Sequence, residues 1–248
     1  MRTFIIPDIH GEYDKLISCL QQVNFDYNVD KLIQLGDVVD RGPDSYKVVE
    51  ELLKIKNLVA IKGNHDFCFV EGLITGDYVL MNQGCKDTIQ SYIKDSCVEQ
   101  QLYLDNNFYP PKYLTTLEII HLPKSHIKFF NDQLPYYIDE NNNLFVHGGF
   151  NRHFEIDDIN HNFEDVLLWD RDLIAQARSY ESMKNKTHPF KMKGDFKEVF
   201  IGHTPVQYFE ETDQPLKYAN VNLLDTGCGK GGPLTIMNLE TREIHQAF

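Results

Sequence analysis

The sequence predicts an α/β fold, and three observations carry that prediction. The chain opens with strand, helix, strand, helix and strand; polar residues stand just beyond the C-terminal end of each strand; and the strand pattern returns after residue 143. Open α/β sheets bind ligands at such strand ends. With 42% hydrophobic and 25% charged residues, the 248-residue chain has the composition of a globular protein, so one large domain carrying an insertion is expected.

Thr3 to Ile6 is a short apolar run ending at Pro7-Asp8-Ile9-His10-Gly11, and Leu16, Ile17, Leu20 and Val23 follow at the spacing of one helix face. Lys31 to Leu35 forms a second strand ending at Gly36-Asp37. Val48, Val49, Leu52 and Leu53 mark a second amphipathic helix, and Leu58 to Ile61 a third strand ending at Lys62-Gly63-Asn64-His65. Residues 66–133 read as a helical capping insertion, with a helix over Lys86 to Ile93 and a loop at Pro110-Pro111. The polar run Asp139 to Asn143 reads as a turn. Strands return at Leu144 to Val146, before His147-Gly148-Gly149, and at Val199 to Ile201, before Gly202-His203-Thr204-Pro205. Between them, residues 150–197 form a second, partly helical excursion holding the one tryptophan, Trp169. Asn220 to Leu224 and Leu234 to Met237 close the fold. Gly227, Gly229, Gly231 and Gly232, around Cys228, read as a tight turn between them, because neither a P-loop nor a GxGxxG fingerprint is complete.

Lys and Arg number 24 against 37 Asp and Glu, a net charge of −13. That field repels polyanions, which argues against a nucleic-acid or anionic-membrane partner while leaving room for a local cationic pocket. The five cysteines, Cys19, Cys68, Cys85, Cys97 and Cys228, contain no CxxC pair and are odd in number. Neither a disulfide framework nor a thiolate zinc site is expected, and a reducing compartment is. An acidic residue, Asp8, comes before any apolar run long enough for a signal peptide, and no stretch approaches the ~18 apolar residues of a membrane span. The expectation is a cytoplasmic protein.

Five strand ends deliver Asp8 with His10, Asp37, Asn64 with His65, His147, and His203. Each short motif alone is a loop coincidence; five in this order, each after a strand, are not. Carboxylates, imidazoles and one carboxamide without thiolates suit two hard or borderline divalent ions. Asp8 and His10 can point to one side of an extended turn, and Asp37 has two oxygens, enough to bridge ions roughly 3.5–4 Å apart. The remaining histidines, His121, His126, His153, His161, His188 and His245, are expected to be surface or partly buried structural groups.

In these stretches the sequence resembles the phosphoprotein-phosphatase branch of the calcineurin-like metallophosphoesterases. The resemblance rests on Asp8-Ile9-His10-Gly11, Gly36-Asp37-Val38-Val39-Asp40-Arg41-Gly42, Gly63-Asn64-His65-Asp66, His147-Gly148-Gly149 and Gly202-His203-Thr204. It implies an αββα sandwich of two mixed sheets flanked by helices, in a single domain over residues 1–248. It also implies that Asp8, His10 and Asp37 hold one metal, and that Asp37, Asn64, His147 and His203 hold a second. By the same resemblance His65 is the general acid with Asp40 as its partner, Arg41 clamps phosphate, and Arg171, after Trp169-Asp170, is a second phosphate-binding arginine. Mn²⁺ is the leading expectation for the metals, with Fe²⁺, Zn²⁺ or Ni²⁺ as alternatives.

The chemistry fits these roles. Two cations and two guanidiniums offset the charge of a phosphate ester, and a water bridging the cations is available as hydroxide for in-line attack on phosphorus. The alkoxide leaving group needs a proton, which a histidine beside the metal ligand Asn64 can supply. Asp40, Gly148-Gly149 and Thr204-Pro205 resemble bacterial serine/threonine phosphatases. Asp66 departs from the glutamate usual in eukaryotic protein phosphatases, and Leu224-Asp225-Thr226-Gly227-Cys228 also resembles the symmetrical diadenosine tetraphosphatases. The expected activity is therefore hydrolysis of phosphoserine or phosphothreonine in proteins, peptides or smaller phosphoesters, releasing inorganic phosphate. Symmetrical cleavage of a dinucleoside tetraphosphate is the alternative. A binding module without turnover would have no need of the proton donor.

Overall fold

Short strands with alternating side chains need cover on both faces, and the chain provides it with two sheets packed against each other. The computed structural model describes residues 1–76, 84–95 and 122–248. The expected Pro110-Pro111 loop, His121 and Cys97 lie outside the described residues.

In the first sheet β1 (Thr3–Ile6), β2 (Lys31–Gln34) and β3 (Asn57–Ala60) run parallel, with Ile5 opposite Ile33 and Ile33 opposite Val59. The second contains β4 (Tyr136–Ile138), β5 (Leu144–Val146), β6 (Val199–Ile201), β7 (Leu216–Tyr218) and β8 (Val221–Leu223). Its order is β4-β5-β6-β8-β7, parallel in the middle three and antiparallel at both edges. The chain then returns to the first sheet as β9 (Leu234–Asn238) and β10 (Ile244–Ala247), for an order of β10-β9-β1-β2-β3.

The period of two along each strand sorts the apolar side chains into layers. Ile5, Ile33, Phe145, Phe200, Leu224 and Met237 form the layer between the sheets, where the Phe145 and Phe200 rings stack at 5.0 Å. Their neighbours Phe4, Ile6 and Leu32 face outward to the helices Tyr13–Gln22, Ser45–Leu52 and Asn64–Thr75. On the other side Leu144, Val146, Val199 and Ile201 meet Leu167 of the helix Glu164–Trp169 and Leu173, Ile174 and Ala177 of the helix Asp172–Glu181. The result is the expected helix, sheet, sheet, helix order. Among the described residues no helix is long and apolar enough to cross a membrane.

The expected helix over 86–93 is found as Cys85–Asp95, and a further helix, Lys124–Asp132, precedes β4. Cys85, Ile89, Tyr92, Phe129 and Phe130 belong to the same apolar cluster as Val48, Leu52 and Phe69, so this part of the expected insertion shares the first sheet's core. Asp66 and Gln133, at its two ends, are joined by a 2.9 Å hydrogen bond.

Three features differ from the sequence-based expectation. Strands β4, β7 and β10 were not expected: all three are half-exposed edge strands whose side chains do not form a buried run. The glycine-rich turn after Thr226 connects β8 to β9, which lie in different sheets, so it is a crossing between sheets. His126 is fully buried instead of at the surface or partly buried, bonded to Tyr92 through Nδ1 at 2.9 Å and to Glu50 through Nε2 at 2.7 Å.

Truncating a ring in the shared layer leaves a void that neither sheet can close alone. Phe200→Ala is expected to lower unfolding stability by roughly 3–5 kcal/mol, read from the denaturant midpoint at unchanged slope. A loss under 1 kcal/mol would mean that the two sheets do not depend on this contact.

Candidate metal centre

The site begins with backbone turns just past the strand ends. His10 (φ 50°), Asp37 (58°), Asp40 (72°), Arg41 (69°) and His203 (65°) all adopt left-handed conformations, which cost a non-glycine residue roughly 1–2 kcal/mol. Two glycines admit the close approach. A Cβ on Gly63 would lie 2.1 Å from Asp37 Oδ1, and one on Gly202 would lie 2.2 Å from Asp8 Oδ1.

Backbone carbonyls set the imidazoles. A carbonyl only accepts, so His10 Nδ1–H donates to Val39 O at 2.9 Å and His147 Nδ1–H donates to Leu35 O at 2.7 Å. Both Nε2 atoms are thereby turned inward. His10 Nε2 stands 3.8 Å from Asp8 Oδ2 and 3.7 Å from Asp37 Oδ2, and His147 Nε2 stands 3.4 Å from Asp37 Oδ1. Asn64 Oδ1 lies 2.9 Å from both His147 Nε2 and His203 Nδ1. The buried Nε2 of His203 has no hydrogen-bond partner among the described residues.

Burial lowers His10 well below its usual range. Burial also works against a charge on His147, but the Asp37 carboxylate outweighs it and raises this imidazole to about 10. A proton there occupies ground that a cation would otherwise take. Burial and the His147 charge push His203 down to about 3, and burial raises Asp8 to about 6 although His147 opposes it.

Among the described residues two groups, His10 with Asp37 and His65, and Asp37 with His147 and His203, each bring their ligand atoms within 4.8 Å of one another. Asp37 belongs to both, the arrangement a bridging carboxylate requires, and the donors are oxygen and imidazole nitrogen throughout. This donor set fits two divalent cations. His65 falls in the first group, yet both its nitrogens are engaged. Nδ1–H donates to Asp40 Oδ2 at 2.7 Å, and Nε2 accepts from Arg41 Nη2 at 2.8 Å. Arg41 Nη1 also meets His10 Nε2.

Nine of the ten expected site residues thus converge: Asp8, His10, Asp37, Asp40, Arg41, Asn64, His65, His147 and His203. Arg171 is different. It is exposed at the start of the helix Asp172–Glu181, two residues beyond Trp169, whose ring meets the His203 ring edge-on at 5.8 Å. Its charge contributes to the low pKa of His203, and among the described residues it forms no ion pair with Asp170 or Asp172.

Two acidic residues have larger parts than the sequence suggested. Asp66 accepts the backbone N–H groups of Asp37 (3.0 Å), Val38 (2.9 Å) and Gly63 (3.2 Å), which ties the loop after β2 to the loop after β3. Its place three residues after Gly63, on the first turn of a helix, was the available signal. Asp225, buried beside Asp8, accepts Gly227 N–H at 2.9 Å, and burial with the neighbouring Asp8 charge pushes its carboxyl well above the usual range. Nothing in the pattern around Asp225 indicated this.

The profile of the calcineurin-like phosphoesterase family matches residues 1–225. The chain belongs to this family. Calcineurin-like phosphoesterases are dinuclear metal-dependent hydrolases, in keeping with the paired ligand groups. The chain is 43% identical over 74 residues to serine/threonine-protein phosphatase 2 of Escherichia coli, a match covering 30% of this chain and 34% of that protein. It is 46% identical over 67 residues to a symmetrical bis(5'-nucleosyl)-tetraphosphatase of Salmonella typhimurium, covering 27% of this chain and 24% of that protein. The matched stretches thus span about a third and a quarter of these relatives. Over 99% of its length the fold is similar to a solved candidate diadenosine tetraphosphatase, covering 92% of that chain, with a TM-score of 0.64 at 18% identity. A serine/threonine phosphatase structure from Saccharomyces cerevisiae gives a TM-score of 0.55 at 11% identity over 100% of this chain and 79% of its own.

Removing the cations should leave buried carboxylates without their counter-charge. Chelation is expected to lower the melting temperature by roughly 10–20 °C for two sites each held near 100 times its Kd. Asp37→Asn should abolish that difference by weakening both positions, with metal content read by elemental analysis. Two tightly held ions in Asp37→Asn would refute the shared-ligand geometry.

Proposed function

We propose that this phosphoesterase hydrolyses phosphate monoesters of alcohols, with phosphoserine and phosphothreonine residues as the substrate class. The observation that carries the proposal is the Asp40–His65 pair beside Arg41. An alkoxide is a strongly basic leaving group and needs a proton as it departs, whereas a departing nucleoside diphosphate is weakly basic and does not. A built proton donor therefore favours the alcohol ester.

In this reading Asp8, His10 and Asp37 hold one cation, and Asp37, Asn64, His147 and His203 hold the other, with Mn²⁺ as the first choice. When bound, the cations supply Lewis acidity, offsetting charge on the phosphoryl oxygens and making hydroxide available near neutral pH. Arg41 donates to imidazole nitrogens on both His10 and His65. A phosphate dianion is a better acceptor than an imidazole and draws the guanidinium fork away from His65, leaving its Nε2 free to carry a proton. Asp40 holds the Nδ1 side of His65, so the proton leaves from Nε2 to the departing oxygen. Arg171, at the rim, meets the outer phosphate oxygens.

One observation favours the dinucleoside reading. A cleft of about 450 Å³ is lined by Pro205, Gln207, Tyr208, Gly227, Lys230 and neighbouring residues, with Lys230 Nζ 5.4 Å from the centre of the Tyr208 ring. It lies beside the site, because Pro205 follows His203 by two residues and a Cβ on Gly229 would lie 2.6 Å from His10 Cβ. An aromatic face beside an ammonium suits a nucleoside with attached phosphates. Rates on a phosphothreonine peptide and on diadenosine tetraphosphate, measured side by side, separate the readings; faster turnover of the dinucleotide would overturn the first.

His65→Asn is expected to keep both metals and to lower kcat on an alkyl phosphate by about 10²–10⁴. An aryl phosphate, whose phenolate departs more easily, should lose less, and equal losses would contradict the proton-donor role. Inorganic phosphate should inhibit competitively. Arg171→Ala should weaken that inhibition and raise KM with metal content unchanged, because a rim contact acts in ground and transition states alike. Unaltered phosphate inhibition would remove Arg171 from the site.

A further inference from the structure

The helix Cys85–Asp95 lies outside every motif of the site, yet it reaches the Asp40–His65 pair through the Thr88 hydroxyl and the Cys85 thiol. We propose that Thr88 is a positioning residue that fixes this pair; the inference rests on His65 being the proton donor. Thr88 is fully buried, and its Oγ1 lies 2.8 Å from Asp40 Oδ1, 2.7 Å from the Asp40 backbone nitrogen and 3.1 Å from Ser45 Oγ.

The donors and acceptors can be assigned uniquely. A carboxylate only accepts and a backbone N–H only donates, so the single Thr88 hydroxyl proton goes to Asp40 Oδ1. Its two lone pairs then take the Asp40 N–H and the Ser45 O–H. All three positions of the hydroxyl are filled, and Asp40 is gripped at backbone and side chain by the same atom.

This grip has a definite consequence. Asp40 and Arg41 are consecutive residues at φ 72° and 69°, a pairing that persists only where the surroundings hold it. With Oδ1 tied to Thr88, Oδ2 faces His65 Nδ1 at 2.7 Å, and the thiol of Cys85, one turn earlier on the same helix, lies 3.7 Å from that oxygen. Removing the Thr88 hydroxyl leaves a buried N–H and a buried carboxylate oxygen unpaired, frees the carboxylate to turn, and loosens the imidazole that depends on it.

The test uses Thr88→Val, which replaces the hydroxyl by a methyl of similar size, and Thr88→Ser, which keeps it. Each is made in the full chain with and without His65→Asn. Thr88→Val is expected to lower kcat on an alkyl phosphate by on the order of 10- to 100-fold, to affect an aryl phosphate less, and to leave KM and metal content in place. Thr88→Ser should restore most of the rate. In the His65→Asn background Thr88→Val should cost nothing further, since it acts through that imidazole. If the valine variant does not fold, Thr88→Ala removes the same hydroxyl and is read the same way. Equal losses on both substrates, loss of metal, or an undiminished further loss in the His65→Asn background would overturn the proposal. A failure of the proton-donor role is told apart because there His65→Asn itself would slow alkyl and aryl substrates equally.

Discussion

A carboxylate buried between two sheets keeps its charge only where donors and positive charge surround it, and in this protein that requirement falls on Asp37. Burial would raise its carboxyl, but the charged His147 beside it holds it well below the usual range. Oδ1 accepts the His65 N–H at 2.9 Å from the first turn of the helix Asn64–Thr75, whose positive end adds to the effect. The Asp37 carbonyl accepts the N–H groups of Ile9 and His10, and its own N–H donates to Asp66. The loops after β1, β2 and β3 are thus tied to one residue.

The same edge joins the two sheets. Asp8, after β1, accepts the backbone N–H of His203, after β6, at 3.0 Å; His147, after β5, donates to Leu35, after β2. Behind this polar edge the shared layer is apolar and fully packed, and its burial offsets the left-handed turns and close carboxylates at the site. The polar groups can be held so close because the apolar layer excludes water from one side and backbone donors satisfy them from the other.

The charge distribution suits a site that gathers cations before it meets an anion. On a chain of net charge −13, Asp8, Asp37, Asp40, Asp66 and Asp225 are all buried, and the charge of the partly buried Arg41 acts on Asp8 and Asp225. Low-dielectric walls strengthen attraction for a divalent cation. In the proposed reading, Arg41 and Arg171 face phosphate only once the cations have offset these carboxylates.

The central strands, and the convergence of nine of the ten expected site residues, were legible in the sequence because both signals are local. β1, β2, β5, β6 and β8 are buried on both faces and read as apolar runs, and the polar residues after them sit at fixed short offsets. Tertiary structure alone decided the rest. Edge strands such as Ile244–Ala247 form where a neighbour offers hydrogen bonds, which half-exposed side chains do not announce. The fully buried His126 is set by Tyr92 and Glu50, which pack against it from distant positions. Asp66 and Thr88 owe their parts to backbone N–H groups and carboxylates brought to them by the fold. A hydrogen bond between residues 40 and 88 leaves no periodicity or spacing in the chain, because its geometry exists only once two separate helices and a left-handed turn have been packed together.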